Sequence, residues 1–96
     1  MKLPNEAQYP KSVLINNEVY RVQFVVKPDR EKSTLGLCDP DKKVIRIKKG
    51  LSAKERMSTY VHEVLHAFEF EYEIDVHHDI VYALEECIIN YLLVNH

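Results

Sequence analysis

The chain has 96 residues, of which 46% are hydrophobic and 29% charged, with a formal net charge of −2 at pH 7. That length builds one domain around one core, and the composition is that of a globular chain, not a disordered one. The charge gives no general pull towards nucleic acid or anionic membrane, no apolar run approaches the roughly 20 residues that span a bilayer, and Cys38 and Cys87 are too few for a disulfide scaffold. The opening segment MKLPNEAQYPK lacks an apolar h-region, so the expected compartment is the cytoplasm.

In chain order, residues 1–11 are polar with two prolines and read as a flexible, loosely held arm on a single domain spanning 1–96. Ser12 to Ile15 is a short apolar run, and Asn16 and Asn17 after it tolerate the positive φ of a tight hairpin. From Glu18 to Val26 the pattern alternates, with Tyr20, Val22, Phe24 and Val26 on one face and Arg21 and Gln23 on the other, which predicts a half-buried strand. A charged loop, 27–32, leads to a third expected strand over 34–38. The turn Asp39 to Lys42 then leads to a fourth strand, Val44 to Lys48, with Ile45 and Ile47 inward.

Ser52 and Glu55 have the spacing of a capping box, and the helix they start can run without Gly or Pro to about Tyr72. Its apolar stripe is Ala53, Met57, Val61, Val64, Phe68 and Tyr72. Within it lies His62-Glu63-Val64-Leu65-His66, the pattern H-E-x-x-H. Residues four apart stack on one helix face, so His62 and His66 can offer two imidazole nitrogens to one ion. Glu63, at the shoulder of that face, can reach a water on the metal without being a ligand. This is the zinc-hydrolase signature, with Zn2+ as the cofactor and Glu63 as general base.

A second helix is expected from about Asp79 to Val94, with Val81, Leu84, Ile88, Tyr91 and Leu92 as its apolar stripe. Glu85 falls inside that stripe, whereas Glu86 points about 100° further round, to solvent. A carboxylate set into an apolar face is costly unless it is paired or holds a metal, which makes Glu85 the candidate third ligand. His78, seven residues before Glu85, can project to the same side and is an alternative ligand or a group that orients the oxyanion. Glu69, three residues after His66, can hold that histidine's second nitrogen. The expected fold class is α+β: a small antiparallel sheet of about four strands on the H-E-x-x-H helix, followed by a second, antiparallel helix.

A sheet, a helix with H-E-x-x-H and a second helix with a glutamate resemble the gluzincin class of zinc metallopeptidases, and in minimal form the minigluzincins. The run HEVLHAFEFEYEIDVHHDIVYALEECIINYLL, preceded by VIRIKKG, is similar to small phage and prophage metallopeptidases related to ImmA/IrrE-type and SprT-like proteins. The resemblance covers roughly 35–93. It implies a zincin-like fold, His62 and His66 as ligands, Glu63 as base and Glu85 as third ligand. It also leaves Glu86 open, because Glu86 to Asn90 matches an E-x-x-x-D/N pattern of the class. His78 stays open too, because SprT-like enzymes take a histidine as third ligand. In zincins the substrate lies along an edge strand, here expected near residues 33–38, and Tyr60, Tyr72, Tyr82 and Tyr91 are candidates for a transition-state donor.

The implied function is zinc-dependent hydrolysis of a protein or peptide substrate. The alternative is a zinc-binding regulatory or interaction module of phage origin with little or no protease activity, which the absence of a larger cleft-walling subdomain favours. Nucleic-acid binding through Lys42, Lys43, Arg46, Lys48 and Lys49 ranks last, because a basic cluster on a strand is ordinarily a solvated edge. No membrane partner is expected.

Overall fold

The computed structural model describes residues 3–31 and 33–94. The first two residues of the expected arm and Lys32 of the charged loop lie outside them. Four strands, β1 (Ser12–Ile15), β2 (Glu18–Val25), β3 (Gly36–Asp39) and β4 (Val44–Lys48), form one sheet, followed by helices α1 (Ala53–Tyr72) and α2 (His78–Val94). The class is α+β, as the patterning predicted. Asn16 and Asn17 take φ of 49° and 65°, the pair of positive values that a two-residue hairpin of the right twist requires.

The sheet is not all antiparallel. Its order is β1-β2-β4-β3, with β2 and β4 parallel and the outer pairs antiparallel. Local patterning finds strands but not their neighbours, and the reason for this order lies in burial. Val44, Ile45 and Ile47 of β4 are all buried, the mark of a central strand, so β3 folds back outside β4 and becomes an edge. The β2 strand ends at Val25, and Val26 is exposed beyond it.

One sheet face carries Ile15, Tyr20, Val22, Ile45 and Ile47 against Ala67 of α1, with Val64 and Tyr60 alongside. Arg46 and Lys48 alternate to the other face. Lys43 is committed elsewhere: its ammonium pairs with Glu71 and lies 5.3 Å from the Phe70 ring and 5.5 Å from the Tyr20 ring.

The α1 helix is capped as its sequence predicts. The Ser52 hydroxyl accepts from the Glu55 N–H at 3.2 Å, while the Glu55 carboxylate returns to that hydroxyl, not to the Ser52 backbone. Its stripe is covered only in the middle. Met57 and Val61 are buried and Val64 half-buried, but Ala53, Phe68 and Tyr72 are exposed. A helix of 20 residues is about 30 Å long, and strands of four to eight residues do not reach its ends. In α2, Val81 is buried and Leu92 half-buried, but Leu84, Ile88 and Tyr91 face solvent and Ile89 takes the inward place.

Residues 3–10, expected to be loose, pack onto the domain. Asn5 and Gln8 cap a short 3₁₀ helix (Glu6–Gln8) reciprocally, the Gly50 N–H donates to Glu6 and Arg56 donates to the Pro4 carbonyl. Tyr9 is buried edge-on against Phe24 and Tyr60, in a cluster with Leu3, Met57, Val61 and Ile89 that ties α2 to the sheet. Burial pushes the Tyr9 phenol up to about 12, and its hydroxyl has no hydrogen-bond partner.

Removing the Tyr9 ring therefore costs far more than removing its hydroxyl. Tyr9→Ala is expected to lower stability in urea by about 3–5 kcal/mol, the range for a buried aromatic, whereas Tyr9→Phe leaves the midpoint unchanged or raised.

Glu71 is held below the usual carboxylate range by hydrogen bonds from Lys43 and Tyr20. A depressed folded-state value stabilises above the ordinary 4.5 and is lost as pH falls through the lowered value. Melting temperatures measured between about pH 5 and pH 3 should accordingly fall more steeply for the wild type than for Glu71→Gln.

Candidate functional site

The four-residue spacing on α1 sets His62 and His66 one above the other, with ring centroids 4.5 Å apart and Nε2 atoms 2.9 Å apart. Each Nδ1 faces a carboxylate: His62 Nδ1 lies 3.2 Å from Glu85 and His66 Nδ1 lies 3.1 Å from Glu69. Both carboxylates are themselves held. The Ser58 hydroxyl donates to Glu85 at 2.8 Å, and the Val76 N–H donates to Glu69 at 2.9 Å.

An ionised carboxylate only accepts, so both Nδ1 atoms carry the proton. Two neutral rings of that tautomer turn lone pairs towards each other at Nε2, and no hydrogen bond joins two acceptors. A cation between the rings would satisfy both lone pairs. Two nitrogens on a tetrahedral zinc are about 3.3 Å apart, so the pair fits a metal with a shift of a few tenths of an ångström.

Glu63 points the other way, to β3. Gly36 makes that approach possible, because a Cβ there would meet the Thr59 methyl at 2.5 Å and the Glu63 carboxylate at 3.1 Å. The Cys38 backbone N–H donates to Glu63. Burial is the main force on this carboxyl and pushes it up to about 7; His66 and the Cys38 N–H lower it, and Glu85 raises it. Burial likewise pushes the Cys38 thiol up to about 12, with Glu63 as the next cause. A cleft of about 670 Å3 opens between β3 and α1, lined by Leu37, Cys38, His62, Glu63, His66 and Phe70 among others. It adjoins a smaller one of about 280 Å3 that reaches Ser58 and Glu85.

The structure gathers His62, Glu63, His66, Glu69 and Glu85 around this cleft. Glu85 is buried as its place in the apolar stripe required, on the Nδ1 side of His62. Glu69 holds the second nitrogen of His66. The His78 ring lies 6.3 Å from that of His66. Glu86 is exposed and lines a cavity of about 490 Å3 between the start of α1 and α2, which shares Ser58 and Glu85 with the smaller one.

Among the described residues, no group of three or more His, Cys, Asp or Glu side chains is close enough to hold one ion together. The two imidazoles suit a metal, but a third ligand is not drawn up beside them.

Of the four candidate tyrosines, Tyr82 is beside the site, its ring 6.0 Å from His62 and 6.2 Å from His78. Tyr60 lies under Tyr9 and Tyr72 stacks on Phe68. Sequence reasoning missed Ser58 and Gly36. Ser58 could have been found as the residue one turn before His62, but nothing local marks Gly36 as a contact.

Comparison with protein-family models, with curated proteins and with solved structures finds no match for this chain.

The Gly36 contact is testable by a double-mutant cycle. Gly36→Ala should destabilise by about 1–3 kcal/mol, the cost of overpacking, and Thr59→Ser in the same chain, which removes the offending methyl, should recover most of it.

Proposed function

We propose that the chain is a zinc-dependent metallopeptidase of zincin-like architecture. The observation that carries this reading is the pair of Nε2 atoms 2.9 Å apart on rings whose Nδ1 atoms both face carboxylates. That arrangement suits a metal-ligating pair with each ring oriented by an outer partner. In the proposal His62 and His66 are ligands through Nε2 and Glu69 orients His66; Glu85, which lies on Nδ1 of His62, becomes the third ligand only by moving round to the Nε2 side. Bound zinc would supply a water acidified towards neutrality and a Lewis acid for the scissile carbonyl.

The chain's own part follows from its residues. Glu63 takes the proton from the attacking water and delivers it to the leaving amine, a role served by a carboxyl raised towards neutrality. A peptide in extended form adds to the edge strand β3, which borders the cleft beside Glu63. Tyr82 is the donor best placed to meet the developing oxyanion.

A second reading is a metal-binding interaction module without catalysis, in which His62 and His66 hold a cation while Glu85 stays on the Nδ1 atom of His62.

Metal analysis of untagged protein, beside peptide-library digestion, separates the two. About one zinc per chain is expected in the wild type. Glu63→Gln should keep the metal and abolish hydrolysis. Glu85→Ala should lose the metal if Glu85 is a ligand; full loading at saturating zinc with a 10–100-fold weaker affinity would mean that it only orients His62. Wild-type protein that binds zinc but cleaves no peptide would favour the module, and protein that binds no zinc ends both readings.

A further inference from the structure

The cleft differs on the two sides of the histidine pair. Towards the start of α1 its side chains are Leu35, Ser58, Thr59 and Glu85. Towards the end of α1 it is walled by Leu37 and Pro40 from the β3 side and by Phe70 and Ile74 from the helix side. Phe70 stands one turn after His66, in the same column as the two imidazoles, and Ile74 follows four residues on. Both are 50% exposed. Phe68 and Tyr72, the other exposed aromatics of this end, stack on each other at 4.8 Å, whereas Phe70 and Ile74 are turned to the cleft. The Lys43 ammonium, 5.3 Å from the Phe70 ring, steadies it there.

The backbone of β3 determines how a chain can lie along these side chains. The Lys48 N–H donates to the Leu35 carbonyl at 2.8 Å, and Leu37 and Asp39 stand opposite Arg46 and Val44. Those three residues turn their backbone groups to β4, so Gly36 and Cys38 turn theirs to the free edge. The Cys38 N–H donates to Glu63, which leaves Gly36 as the residue of β3 that offers an added strand both a donor and an acceptor. An antiparallel strand exchanges both bonds with a single residue, whereas a parallel one must use two. Strand β3 and helix α1 run in the same sense along the cleft, since Gly36 lies against Thr59 and Glu63 while Pro40 shares the far wall with Phe70. An antiparallel peptide therefore has its amino end at Phe70 and Ile74. From the level midway between the histidines, Phe70 is about 9 Å along the helix axis, the reach of roughly two to three extended residues.

We infer that Phe70 and Ile74, with Leu37 and Pro40 opposite, form a subsite for one large apolar side chain of a bound peptide. That side chain lies on the amino side of the bond held at the histidine pair, roughly two to three residues from it. The substrates are then extended chains with leucine, isoleucine, methionine or phenylalanine at that place. The inference rests on the peptidase reading for the placing of a peptide along β3, but not on metal or turnover.

Binding of blocked heptapeptides to the full-length Glu63→Gln protein, followed by amide NMR, tests it without hydrolysis. The probes are a glycine–serine chain and the same chain with leucine third from its amino end. Leucine should tighten binding roughly tenfold or more, as burial of that side chain implies. A nitroxide on the amino end of the leucine peptide should broaden the Ile74 amide signal, and one on its carboxyl end the Ser58 signal. Ile74→Ser and Phe70→Gln should each cut the leucine advantage to about threefold or less, while the glycine–serine chain binds as before.

A leucine advantage that survives both substitutions overturns the inference, as does equal affinity for the two peptides or binding of neither. Broadening in the reverse order overturns the assignment to the amino side. A wild type that cleaves both peptides with equal kcat/KM keeps the peptidase reading and ends this inference. One that cleaves neither, while Glu63→Gln shows the leucine advantage, ends that reading and keeps this inference.

Discussion

A carboxylate buried between two helices has to find its hydrogen bonds there, because leaving a charge unpaired out of water costs several kcal/mol or more. Glu85 finds two, from the Ser58 hydroxyl and from His62 Nδ1. Those partners are one turn apart on α1, so satisfying both carboxylate oxygens sets the register and the roll of α2 together. Val81 and Ile89, one turn to either side, are then buried, and His78, two turns before, arrives beside His66. The contacts Ser58 and His62 to Glu85, then His66 to His78, run in opposite senses along α1 and α2, so the helices are antiparallel. Shift α2 by one residue and Glu86 or Leu84 would meet Ser58, leaving a charge or a hydroxyl without its match.

Around the two imidazoles stand three carboxylates: Glu63 and Glu69 each accept from a backbone N–H, and Glu85 accepts from the Ser58 hydroxyl. Glu69 lies below the usual carboxylate range, chiefly because the Val76 N–H donates to it. Glu63 is pushed the opposite way because burial outweighs its donor. Environment thus divides chemically identical groups into a fixed anion that orients a ring and a carboxyl able to exchange a proton. Three acids and two bases thus share one neighbourhood, and the like charge of Glu85 adds to the upward push on Glu63.

What could be read from the sequence divides along the range of the interactions. The hairpin at Asn16 and Asn17, the Ser52 cap, the length of α1 and the inward place of Glu85 rest on residues within a turn or two, and patterning found them all. The sheet order rests on a crossover between β2 and β4, which no local pattern encodes, so the antiparallel expectation failed there. The docked N-terminal segment was missed because its polar composition hides two specific devices, a reciprocal cap and a single aromatic anchor at Tyr9. Gly36 reads as an ordinary strand interruption; only the approach of Thr59 and Glu63 gives it a reason.

The misassigned stripe of α2 has the most instructive cause. Apolar residues occur nearly all the way round that helix, so periodicity offered two equally good faces and could not rank them. The ranking came from polar atoms: Glu85 had partners only on α1, and it drew Val81 and Ile89 inward while turning Leu84, Ile88 and Tyr91 out. The protein is thereby left with two unfilled surfaces of different chemistry. The edge strand β3 presents backbone donors and acceptors beside the cleft that holds Glu63. The outer face of α2 presents side chains without charge, Ile80, Leu84 and Tyr91 among them. The first is a surface of backbone groups and the second one of apolar side chains, and both follow from where Glu85 and the sheet order leave the two elements.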